Sequence, residues 1–87
     1  MENKQEWIAV GKEIKRIRLK AGATQADISQ AMGYLTSQYV SNIERGCCAA
    51  SPQLLKLMCE KFGGSKKRLA SIHLKHYMDA FRKEIGL

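Results

Sequence analysis

Residues 24–46, TQADISQAMGYLTSQYVSNIERG, constrain the fold of this chain more than any other stretch. They hold two segments of helical periodicity on either side of Gly33, and a second glycine, Gly46, closes the pair. In the first segment Ile28, Ala31 and Met32 recur at steps of three and four and mark an inner face. In the second, Val40 and Ile43 do the same, with Tyr39 at the edge. Thr24 with Asp27 three residues on is a Thr-x-x-Asp variant of the capping box, in which side chain and backbone satisfy each other at a helix start. Tyr34 and Leu35 belong to the turn, and Thr36 or Ser37 is the candidate cap of the second helix.

The flanking sequence continues the helical pattern. Trp7, Val10, Ile14, Ile17 and Ala21 form one stripe and predict a first helix from about Asn3 to Ala21. Ser51 followed by the sole proline, Pro52, is a Ser N-cap with Pro at the first helical position. It opens a fourth helix, to about Phe62, with Leu54, Leu55, Leu57, Met58 and Phe62 available to a core. Ser65 is placed to cap a fifth helix, residues 66–85, in which Leu74, Tyr77, Met78, Phe81 and Ile85 fall at helical spacing. No β-branched alternation argues for a strand. The expectation is all-α: a compact five-helix single domain spanning 1–87.

Composition narrows the function. Fifteen Lys and Arg against eight Asp and Glu give a formal net charge of +7, which suits a polyanionic partner, nucleic acid before an anionic membrane. No apolar run approaches the ~20 residues of a membrane span. The charged start MENKQEW lacks the apolar core of a signal peptide, so a cytoplasmic location and no membrane partner are expected. Cys47, Cys48 and Cys59 are odd in number and contain no C-x-x-C pair, and read as small, partly buried hydrophobes. His73, His76 and Asp79 have helical spacing but no further ligand nearby, so no metal and no cofactor are expected. No Gly-rich phosphate loop or Ser-His-Asp set is present, which argues against an enzyme.

Arg18, the run Gly22-Ala23-Thr24-Gln25, the segment SQYVSNIERG, the Ser-Pro helix start and the Leu-rich helix after it occur in an order and spacing that resembles the lambda-repressor-like (Cro/C1, XRE-type) helix-turn-helix family. The match covers about residues 14–62. The resemblance implies a compact lambda-repressor-like fold with the helix-turn-helix at helices two and three. It also implies a phosphate contact from Gln25 and an inward, structural ion pair between Arg18 and Glu44. One departure stands out: Gly33 to Ser37 is one residue longer than the family's commonest turn, which leaves Thr36, Ser37 and Gln38 as rival first base contacts.

The residue chemistry points the same way. A helix entering the major groove packs one face and offers the other to base edges. Thr36, Ser37, Gln38, Ser41 and Asn42 are the candidate base readers, because Gln and Asn bond adenine N6 and N7 in bidentate fashion and hydroxyls bond several bases. Thr24, Gln25, Tyr39 and Arg45 are the candidate phosphate contacts. Lys12, Lys15, Arg16, Lys20, Lys56, Lys61 and the run Lys66-Lys67-Arg68 are mostly solvated surface. The stripe Leu74, Tyr77, Met78, Phe81 and Ile85 either packs on its own core or forms a subunit interface. The reading is a sequence-specific regulator of transcription, a homodimeric repressor on double-stranded DNA. The alternative is an antitoxin-type module that binds a protein partner and regulates its own operon.

Overall fold

The computed structural model describes residues 5–72, 74, 75 and 86, and all regular structure among them is helical. Four helices, α1 (Gln5–Lys20), α2 (Gln25–Ala31), α3 (Gln38–Glu44) and α4 (Pro52–Lys61), follow one another. A fifth, α5, takes residues 66–72 with 74 and 75. The expected first residue of α1, Asn3, and most of the expected length of α5 lie outside the described residues.

One apolar cluster joins the five. Val10, Ile14 and Ile17 of α1 meet Ile28 of α2, Val40 and Ile43 of α3, Leu54 and Met58 of α4, and Leu69 of α5, all buried. Helix α1 packs on α3 and α4, and α2 packs on α3. The approach of α1 to α3 is closest at Gly11, where an added Cβ would collide with the Ile43 carbonyl and stand 3.2 Å from the Glu44 Cα. Trp7 is half-buried, but Ala21 is exposed, because α1 has ended by then and Ala21 no longer follows the stripe.

Helix starts obey the local chemistry in three of four cases. Thr24 Oγ1 accepts the Asp27 N–H at 3.0 Å and Asp27 Oδ2 accepts the Thr24 N–H at 2.8 Å, a complete capping box. Ser51 Oγ accepts the Leu54 N–H at 3.2 Å, and Ser65 Oγ accepts the Arg68 N–H at 3.2 Å. Helix α3 differs from expectation. Ser37 stands at its N-cap with φ −85° and ψ 4°, away from the extended geometry that aims a hydroxyl at the first turn, and makes no capping bond. Thr36 Oγ1 only grazes the Gln38 N–H at 3.4 Å.

Two glycines shape the central unit. At Gly33 (φ 81°) and Gly46 (φ 76°) the chain enters the left-handed region that glycine adopts without a Cβ penalty. Each closes its helix with paired bonds: Gly33 N–H to Gln30 O with Tyr34 N–H to Ser29 O, and Gly46 N–H to Ile43 O with Cys47 N–H to Asn42 O.

Three readings of burial are corrected. Ala31 is exposed and Ser29 takes its place, 1% exposed, with an Oγ that has no hydrogen-bond partner. Seven residues make barely two turns, and the face that meets α3 runs through Ile28, Ser29 and Met32 instead. Cys47 is exposed, while Cys48 and Cys59 are half-buried, and all three are free thiols. Arg16 and Arg68 are not simply solvated: both hold Glu13, which is only 4% exposed. Arg16 donates to its two carboxylate oxygens at 2.9 and 2.6 Å, and the Arg68 Nε lies 2.9 Å from Oε1. This cluster ties α5 to α1. The i, i+3 spacing of Glu13 and Arg16 carried the signal for half of it.

Candidate nucleic-acid interface

The short helix α3 presents two faces with separate tasks. Val40 and Ile43 enter the core. On the opposite side Gln38, Asn42 and Arg45 stand at helical steps of four and three and form one row. The row is hydrogen-bonded to itself: Asn42 Oδ1 accepts from Gln38 Nε2 at 2.9 Å and from Arg45 Nη2 at 2.5 Å. Gln38, Arg45 and Thr36 are exposed, whereas Ser37, Ser41 and Asn42 are half-buried. The helix begins at Gln38, so the long turn ends with Ser37 as its last residue.

Glu44 fixes the orientation of that row. Its Oε2 accepts from Arg18 Nε at 2.7 Å and its Oε1 accepts from Arg18 Nη2 at 3.0 Å, a bidentate pair with little of either side chain in solvent. The carboxylate beside it raises the Arg18 guanidinium above its ordinary range, against the opposing effect of burial. Arg18 Nη1 also donates to the Ala23 carbonyl at 3.0 Å, at the entrance to α2. Gln25 Nε2 adds a further bond to Glu44 Oε1 at 3.1 Å. One carboxylate on α3 is thus gripped from α1 and α2 together.

The candidate phosphate contacts are partly committed within the fold. Gln25 is half-buried and turned toward Glu44, with one amide hydrogen in that bond and the second still available. The Thr24 oxygen serves the capping box. The Tyr39 oxygen accepts the Ser51 N–H at 3.1 Å, and its ring meets Tyr34 edge-on, centroids 5.1 Å apart. Tyr39, read from sequence as an edge residue and candidate phosphate contact, therefore fastens the turn and the start of α4 to α3. Arg45 lies on the exposed row, its Nε also near the Ser41 carbonyl at 3.4 Å.

Leu74 is helical and exposed. Tyr77, Met78, Phe81 and Ile85, like His73, His76 and Asp79, lie outside the described residues. Among the described residues no group of His, Cys, Asp and Glu has the geometry of a metal site. No helix among them is long and apolar enough to cross a membrane.

Two short helices at a glycine turn, the second offering a polar row and braced from behind by a buried ion pair, define a helix-turn-helix domain. A helix-turn-helix family model matches residues 14–69, more than half of the chain. The chain belongs to the lambda-repressor-like (Cro/C1, XRE-type) helix-turn-helix family of DNA-binding transcription regulators. Its fold is similar to that of the clp gene regulator ClgR from Corynebacterium glutamicum, seen in a crystal structure, with a TM-score of 0.68 and 21% identity over 98% of this chain and 90% of that one. No curated protein sequence matches it.

Proposed function

We propose that this protein is a cytoplasmic repressor that binds a pseudopalindromic operator as a homodimer and reads each half-site with α3. The observation that carries the reading is the outward row of exposed Gln38 and Arg45 with half-buried Asn42 between them, on a helix held from behind by the Arg18, Gln25 and Glu44 bonds. A rigid helix with amide side chains outward is what base-edge recognition in the major groove requires. Thr36, Ser37 and Ser41 flank the row and supply hydroxyls. Arg45, Thr24, Tyr39 and the free amide hydrogen of Gln25 serve the sugar-phosphate backbone, which sets register and carries no sequence information. Two-fold pairing of subunits, through the stripe that begins at Leu74, would set two reading helices about one turn of DNA apart.

Selection from random DNA duplexes, with the mass of the complex measured in solution, tests this directly. A palindromic motif bound by two chains is expected; indifferent binding to all duplexes rejects the assignment. Within the selected site, Gln38→Ala is expected to cost ~1–3 kcal/mol against the preferred base and little on random DNA. Gln25→Ala is expected to weaken all sequences alike. Equal losses from Gln38→Ala on both kinds of DNA remove it from the base readers.

A further inference from the structure

Leu35 is fully exposed, at 102% of its reference area, in the turn that leads into α3. Isolated exposed leucines are ordinary on protein surfaces; the position of this one is not. The residue before it is fastened, and the one after it faces the start of α3. Tyr34 donates its N–H to the Ser29 carbonyl at 2.9 Å and sets its ring against Tyr39, while the Thr36 hydroxyl oxygen faces the Gln38 N–H. Leu35 is left out of a core already filled by Ile28, Val40 and Ile43. Three residues later begins the row that offers amides to base edges.

A leucine makes no hydrogen bond, and in the major groove the apolar group on an unmodified base edge is the C5-methyl of thymine. We propose that Leu35 is a specificity-determining residue that packs against a thymine methyl at the flank of the position facing Gln38. The inference rests on the DNA-reading assignment above and extends it from α3 to the turn.

Replacing each thymine of the selected site by uracil, one at a time, removes a single methyl group and leaves every hydrogen-bonding atom in place. The wild-type protein is expected to lose about fourfold in affinity at one such position, the worth of one buried methyl. Leu35→Ala is expected to bind thymine and uracil duplexes equally there, while keeping the Gln38-dependent preference next to it. Its thermal midpoint should match the wild type, since the side chain is fully exposed and packs on nothing among the described residues. A Leu35→Ala protein that still senses the methyl, or that binds the selected site as tightly as the wild type, overturns the proposal and turns the leucine over to a protein partner. A wild-type protein that selects no sequence overturns the DNA-reading assignment itself, and this inference with it.

Discussion

At the scale of residues, Glu44 does the most with the fewest atoms. Two oxygens take three hydrogen bonds, two from Arg18 and one from Gln25. Burying such a pair adds little net stability, yet removing one partner strands the other charge. Arg18→Ala is therefore expected to destabilise the domain by ~3–5 kcal/mol, read by chemical denaturation, and to weaken DNA binding as well. Unchanged stability would show that water satisfies Glu44 without help. Positions 18 and 44 were legible in the sequence only through the family pattern, since a separation of 26 residues leaves no periodic trace. The orphaned hydroxyl of Ser29 was not legible at all. It depends on which side of a two-turn helix meets α3, and a period of 3.6 residues over seven positions defines that side too loosely.

At the scale of elements, the starts and stops were the clearest text. The Thr24–Asp27 box, the Ser51–Pro52 start and the glycine ends are all local chemistry, settled within a few residues. Helix α3 lacks such a start, and its first residue was correspondingly open until packing fixed it at Gln38. The attachment of α5 was also hidden, because Arg68 reaches across the fold to Glu13, far earlier in the chain, and so leaves no local trace. Hydrogen bonding from Arg16 is the largest influence holding the Glu13 carboxyl below its ordinary value; burial opposes it, and Arg68 adds to it. A carboxyl lowered in the folded state stabilises the fold above the ordinary glutamate value of about 4.3, and that contribution fades as pH falls through the lower folded value. Glu13→Gln is expected to lower the thermal midpoint at pH 7, with the gap to the wild type narrowing steadily below pH ~4. A gap that stays constant down to the acid transition would mean that the glutamate's packing, not its charge, matters.

At the scale of the whole molecule, the net charge of +7 and the proposed reading row on α3 must act together. Lysine and arginine contacts release counterions from DNA and give an affinity whose logarithm falls linearly with the logarithm of salt concentration. If Arg45 touches a phosphate, Arg45→Ala flattens that dependence by about one unit of slope and acts on all sequences alike; an unchanged slope with altered base preference would move it among the readers. The all-α class and the placing of the two central helices could be seen in the chain from the start, because periodicity and caps are local. Which cations are free and which are already engaged could not, because that follows from how the helices lie against one another. The bonds among Gln38, Asn42 and Arg45 have a consequence of this kind. Under the proposed reading, Asn42 Oδ1 already holds one hydrogen of the Gln38 amide and one of the Arg45 guanidinium, so a base donor that calls on that oxygen must displace one of them. A matching base repays the exchange, and a mismatched one leaves the row closed on itself. The proposed reading surface thereby starts each encounter with its Asn42 acceptor already satisfied.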